Sequence, residues 1–342
     1  MRIGFSVPQF GPFADPGHIA VMCAALEQLG CHSLWVADRL LAPLTSPEGY
    51  PGGTMPARYG THLDPLLALG VAASVTERVR LGSSTLNALW QPPLVLARAL
   101  TTLDLISRGR LDVGIGLGWM REEYEAVAVP WQGRGGRLEE TLDVLEAVWR
   151  SGTVTHTGAL WTIPSSTVLP QPFQKPRPPL LLGGFTSVAL ERIGRRADGW
   201  LAAAMPLPYL DALWAVAREA AERAGRDPDA LRRVFRLNAH VTRAAADPAE
   251  SHHRGTVRQL CDHLREMCRA DTDEVLVDLQ LTTDSPEEYL DLAAEFMDRL
   301  GGGRPWPGYA GVGSGGRAAR AARAQASQWG ESQAAATRRA SR

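Results

Sequence analysis

The sequence predicts an α/β protein: a (β/α)8 barrel of the TIM type, with insertions after strand 2 and before strand 5. Three observations carry that expectation. Eight short apolar or β-branched runs occur, each followed by a segment of helical period, and the alternation stops after the eighth. Several runs are apolar on both faces, as strands of a parallel sheet covered by helices must be. They also end in small or polar residues, such as Ser83-Ser84-Thr85 and Gly116-Leu117-Gly118. In β/α proteins ligands sit at strand C-termini. A doubly wound open sheet is the alternative, and the count of eight argues against it.

The elements follow in order. Ile3–Val7 is the first strand, and Pro16-Gly17 opens a helix that stops at Gly30. Ser33–Ala37 is the second, with Asp38 and Arg39 at its end. Residues 40–61, rich in proline and glycine, are too long for a plain connection and read as a lid or binding loop. Helix 66–76 leads to the densest unit, VRLGSSTLNALWQPPLVLARALTTLDLISRGRLDVGIGLGW at 79–119. It reads as strand 79–86, a helix from Pro92-Pro93 to Ile106, and strand 111–118. A short helix after Trp119 and a strong one after Arg137 come next. Residues 152–172 read as a β-hairpin outside the alternation. Strands 180–182, 199–204, 234–241 and 274–279 complete the eight, with helices at 187–197, 206–225, 255–269 and 286–300. Ser285-Pro286-Glu287-Glu288 is a capping box with proline in the first turn.

Composition sets bounds. With 45 % hydrophobic residues and a net charge of −1, the chain can bury a large core, and its charge points to neither nucleic acid nor membrane. Cys23, Cys31, Cys261 and Cys268 lack metal or redox spacing and read as reduced core residues of a cytoplasmic protein. The chain enters a strand at once, so no signal segment is expected, and no run is long enough to span a bilayer. Residues 1–300 form the expected barrel domain. Residues 301–342 are Gly, Ala, Ser and Arg, with seven arginines against Glu331, and read as a disordered, solvated tail.

Several motifs carry chemistry. Gly183-Gly184-Phe185-Thr186-Ser187 opens a helix directly after strand five, where backbone N–H groups and hydroxyls make an anion site; a plain N-cap at Thr186 or Ser187 is the alternative. Gly114-Ile115-Gly116-Leu117-Gly118 lies inside the fourth strand and is not a dinucleotide fingerprint. Glu122 and Glu123 read as first-turn helix acids or partners of Arg134 or Arg137. His240 and Gln280, at the ends of strands seven and eight, can reach the barrel mouth. His252, His253 and His263 complete no metal pattern, and no metal site is expected.

Three blocks, SLWVADR at 33–39, residues 78–127 continuing to 134–149, and PPLLLGGFTSVALERIGRRADGW at 178–200, resemble the bacterial luciferase-like monooxygenase superfamily. The closest likeness is to its coenzyme F-420 (5-deazaflavin) branch. The resemblance covers nearly all of 1–300 and implies a luciferase-like barrel. It places a non-proline cis peptide at Ser84–Thr85 against the middle of the ring, with Ser83 beside it and Asn87 near the ring edge. It implies that Gly116 and Gly118 let the ring and phosphate tail approach the backbone, and that Trp119 walls the pocket. Phosphate would lie around Gly183, Gly184, Phe185, Thr186 and Ser187.

Asp38-Arg39 departs from the branch, which has Asp-His. Arginine stays charged and is a poor general acid or base. It could stabilise an anionic reduced ring or hold an anionic substrate. His62, on the long loop, is the nearest substitute for the histidine. The implied activity is hydride transfer between F-420 and a small organic substrate, with Asp38, Arg39 and His62 as catalytic candidates. The alternatives are an FMN-dependent two-component monooxygenase fed by a reductase, and a non-catalytic flavin-binding relative. The resemblance also implies a homodimer.

Overall fold

The structure is a computed structural model and describes residues 2–45, 55–203, 205–247, 253–269 and 271–301. The barrel strands are β1 (Arg2–Ser6), β2 (Ser33–Val36), β3 (Arg80–Ser83), β4 (Leu111–Gly116), β5 (Leu180–Gly183), β6 (Gly199–Ala203), β7 (Arg232–Asn238) and β8 (Glu274–Asp278). Each pairs in parallel with the next in chain order, and β8 pairs with β1, so the sheet closes. The helices are α1 (Pro16–Gln28), α2 (Pro65–Val75), α3 (Pro93–Ile106), α4 (Arg121–Ala126), α5 (Arg134–Ser151), α6 (Ser187–Arg196), α7 (Leu207–Arg223), α8 (Val257–Arg269) and α9 (Pro286–Leu300).

Element ends differ from the expected ones by a few residues. The third strand stops at Ser83, and the chain resumes pairing with β4 at Leu86–Asn87. The expected hairpin is present, with Thr153–Thr157 antiparallel to Thr162–Thr167. Ser285 caps α9 by accepting the Glu288 N–H at 3.2 Å, while the Glu288 carboxylate reaches one residue further back, to the Asp284 N–H at 2.7 Å. The cysteines are free, and all but Cys268 are buried. The central part of the expected lid, 46–54, and the tail from residue 302 lie outside the described residues.

The strands are buried on both faces, but the two faces are not alike. Successive side chains point to opposite sides of a strand. In β4, Leu111, Val113 and Ile115 belong to the apolar cluster shared with the helices. The alternate residues, Asp112, Gly114 and Gly116, line the interior. The same alternation in the other strands builds three layers inside the barrel. The lowest is charged. Arg80 donates to Asp112 at 2.7 and 2.8 Å, Arg232 donates to Asp112 at 2.9 Å and to Glu274 at 3.2 Å. Burial opposes the Asp112 charge, but Arg80 and Arg232 win, and its carboxyl is held below the usual carboxylate range.

The middle layer is apolar: Trp35, Leu181, Leu201, Val234 and Leu276 form a cluster separate from the outer core. Trp35 fills most of it. Its indole N–H donates to Ser33 Oγ at 2.7 Å and to Glu274 Oε1 at 3.0 Å. Its ring lies where side chains from the flanking strands would otherwise stand. A Cβ on Gly82 would come within 2.4 Å of the ring, and one on Gly4 within 3.0 Å of its nitrogen. Gly82→Ala therefore overpacks the layer and should cost about 1–3 kcal/mol in urea unfolding. A neutral result would mean that the indole has room to move.

Candidate active site

Above the Trp35 layer, at the C-terminal ends of the strands, lies a cavity of about 200 Å³. Ala37, Asp38 and Arg39 reach it from the end of β2. Ser84, Thr85, Asn87 and Trp90 follow β3, and Gly118, Trp119 and Glu123 follow β4. Arg236 and Asn238 come from β7, and Phe10 and Tyr59 from loops. Arg58 ties the returning leg of the 40–61 loop to the far side of the mouth. It donates to Gln280 O at 2.7 Å and pairs with Asp284. That anchor places its neighbour Tyr59 on the cavity.

The Ser84–Thr85 peptide bond is cis. Both ends of this segment are held. Ser84 N–H donates to Val36 O at 2.7 Å, and Arg236 Nη1 donates to Ser84 O at 2.5 Å. Thr85 packs on two glycines. A Cβ on Gly116 would lie 2.3 Å from Thr85 Oγ1, and one on Gly183 would lie 3.2 Å from Thr85 Cγ2.

Asp38 and Glu123 bring two carboxyls to the cavity. Asp38 Oδ2 accepts the Asn87 N–H at 3.0 Å. Burial pushes its carboxyl up to about 7; the Asn87 bond opposes this, and the charge of Glu123 adds to it. Glu123 is buried and accepts the Leu40 N–H at 2.9 Å. Burial raises its carboxyl too, against the pull of Arg39. Arg39 Nη1 lies 3.6 Å from Glu123 Oε1. The same guanidinium stands 5.2 Å from the centre of the Tyr59 ring and 4.8 Å from that of Trp119. Cation–π attraction and the ion pair fix it in the wall.

The structure brings Asp38, Arg39, Ser84, Thr85, Asn87, Gly118 and Trp119 together on one cavity. Ser83 faces the barrel wall instead, its hydroxyl exchanging bonds with Gly114 O at 2.8 Å and Gly114 N at 3.0 Å. Gly116 and Gly183 lie under Thr85. In the next loop Thr186 caps α6, accepting the Ala189 N–H at 3.3 Å, as a plain N-cap does. The Gly184 carbonyl accepts the Trp200 indole N–H at 2.9 Å, and Phe185 packs edge-on against Trp200.

Other candidates lie off the cavity lining. His62 pairs with Phe10 behind it, where burial pushes its imidazole below the ordinary value. His240 is exposed and pairs with Arg254. Gln280 is buried and accepts the Gln9 and Phe10 N–H groups at 2.6 and 2.9 Å, so it fixes a loop. Glu123 pairs with Arg39 and not with Arg134 or Arg137; Arg134 lies over the Trp131 ring at 3.6 Å. No group of three or more potential metal ligands occurs among the described residues.

Sequence reading missed Phe10, Tyr59, Trp90, Arg236 and Asn238. Trp90 matters most, because its indole N–H is buried with no partner among the described residues. Arg236 had a signal: it follows Arg232 and Val234 at spacing two on the inward face of β7. Trp90 and Tyr59 had none.

The Asp38 environment predicts a pH effect on stability. The folded carboxyl keeps its proton to about pH 7, while the unfolded one releases it near 3.8. Between these values rising pH costs the folded state stability. Asp38→Asn removes that loss. Its advantage over wild type should reach about 1–3 kcal/mol at pH 8 and shrink toward pH 4.5 in urea melts. A gap independent of pH would refute the assignment.

Comparison with known proteins agrees with this architecture. The chain matches the luciferase-like monooxygenase family over residues 4–341. It is 31 % identical over 238 residues to an F420-dependent glucose-6-phosphate dehydrogenase of Nakamurella multipartita, covering 68 % of this chain and 65 % of that one. It is 32 % identical over 163 residues to the oxygenase component of a flavin-dependent trigonelline monooxygenase of Acinetobacter baylyi, covering 46 % and 40 %. Among solved structures, the monooxygenase RslO1 from Streptomyces bottropensis superposes with a TM-score of 0.71 at 22 % identity, covering 91 % and 100 %. No helix among the described residues is long and apolar enough to cross a membrane. With a closed eight-stranded barrel and a match along almost its whole length, the chain belongs to the luciferase-like monooxygenase family.

Proposed function

We propose that this protein is an oxidoreductase that binds coenzyme F-420 at the barrel mouth and transfers a hydride between it and a small organic substrate. The observation that carries the proposal is the meeting of Asp38, the Ser84–Thr85 backbone and an aromatic wall in one cavity. The residues fit a ring cofactor. Trp90 offers a buried N–H without a partner among the described residues, and Gly118 leaves the wall low. Gly183 lies against Thr85, so the loop to Ser187 is within reach of a phosphate tail. When bound, F-420 supplies a ring carbon that gives or takes hydride.

The chain's own groups do the rest. Arg236 and Val36 hold the Ser84 backbone on both sides. Phe10, Tyr59 and Trp119 exclude water. Asp38 exchanges a proton at its carboxyl, because a group near 7 can both give and accept one at neutral pH. Arg39, held against Glu123, does not serve as acid or base.

The FMN-dependent reading has support in the likeness to the trigonelline monooxygenase oxygenase component. On that reading a separate reductase supplies reduced flavin. Titration of the purified protein with F-420 and with FMN, followed by ring absorbance, decides between them. We expect F-420 to bind at least about tenfold tighter, a difference of about 1.4 kcal/mol. The reverse order would establish the flavin reading. Trp90→Phe removes one donor and should weaken ring binding about 2- to 10-fold. Unchanged affinity would take Trp90 out of the site.

A further inference from the structure

The cavity contains two guanidinium groups, and each has a carboxylate partner. Arg236 uses all three nitrogens: Nε donates to Asn238 Oδ1 at 2.8 Å, Nη1 to Ser84 O at 2.5 Å and Nη2 to the Asp278 carboxylate. Arg39 is 3.6 Å from Glu123 and lies against two aromatic rings. Asp38 adds a further carboxyl. Acids thus outnumber cations at the mouth when Asp38 is ionised, and match them when it is protonated.

An anion entering such a pocket sheds its water and meets no unpaired positive charge, which is costly. A neutral molecule has no such penalty, and flat rings suit walls of tyrosine and tryptophan. We infer that the pocket takes a neutral, planar organic substrate and rejects anionic ones, and that Glu123 sets this preference by occupying Arg39. The inference rests on reading the cavity as the ring and substrate site. It also departs from the anion-holding role that the sequence suggested for Arg39.

The test is calorimetry at pH 8 and low salt, with benzaldehyde and 4-formylbenzoate titrated into protein carrying oxidised cofactor. Wild type should bind benzaldehyde at least about tenfold tighter than 4-formylbenzoate. Glu123→Gln keeps an oxygen for the Leu40 N–H but frees Arg39, and should close or reverse that gap. Arg39→Met combined with Glu123→Gln should restore it, which separates a freed cation from a merely loosened wall. Thermal melts check that each variant folds. Equal binding of the two probes to wild type overturns the inference. So does a Glu123→Gln variant with an unchanged ratio, or binding of neither probe below about 10 mM. If no ring cofactor loads, the absence of an absorbance change refutes the cofactor reading alone, and the same two probes still test the charge rule on the cofactor-free protein.

Discussion

Trp35 is the constraint on which the interior depends. Its indole is 1 % exposed, fills the barrel at mid-height and directs its only donor downward, to Ser33 and Glu274. The two strands beside it yield at Gly4 and Gly82. Below the ring the barrel can then carry charge, because Glu274 is fixed from above by the indole and from the side by Arg232. Above it the barrel can be left open for a ligand, because the apolar layer already closes the interior to water. One side chain separates a structural floor from a chemical mouth.

Two aspartates show what that separation does. Asp112, in the floor, is wholly buried, yet Arg80 and Arg232 hold its carboxyl below the usual range. Asp38, at the mouth, is less buried but accepts a single backbone N–H, from Asn87, and stands near another carboxyl. Its carboxyl is raised. Burial alone does not determine the outcome; the number of donors and cations within reach does. The floor is a closed set of partners, whereas the mouth keeps one acid incompletely compensated. On the proposed function, such an imbalance suits proton exchange.

The fold was legible because it repeats. Eight strand-helix units leave few topologies, and local signals such as Pro16-Gly17 or the Ser285 capping box mark the helix starts where the structure has them. What was misread is the character of the strands. Residues 111–118 read as apolar on both faces and rich in glycine, yet Asp112, Gly114 and Gly116 take the inward positions, while Leu111, Val113 and Ile115 pack on the helices. The site was legible where it is local, as with Asp38 and Arg39, or where the family resemblance supplied it, as with Ser84-Thr85. It was not legible where partners meet from far apart. Arg236 and Ser84 are 152 residues apart in sequence, and Arg39 and Glu123 meet only because the β2 and β4 ends flank the same opening.

If the chain is of the deazaflavin type proposed above, arginine at position 39 replaces the histidine expected there without leaving a gap. A histidine there would titrate near neutrality; the arginine is permanently charged and is immobilised between Tyr59, Trp119 and Glu123. On the proposed hydride-transfer function, proton exchange falls to another group, and Asp38 is next to it in the chain. Burial is the main cause that raises the Asp38 carboxyl, and the Arg39 charge pulls weakly the other way. Glu123 counters that pull twice, by pairing with Arg39 and by adding its own negative charge beside Asp38. The arginine and the glutamate therefore belong together. The first is held in the wall by two rings and an ion pair, and the second adds to the burial that raises the Asp38 carboxyl.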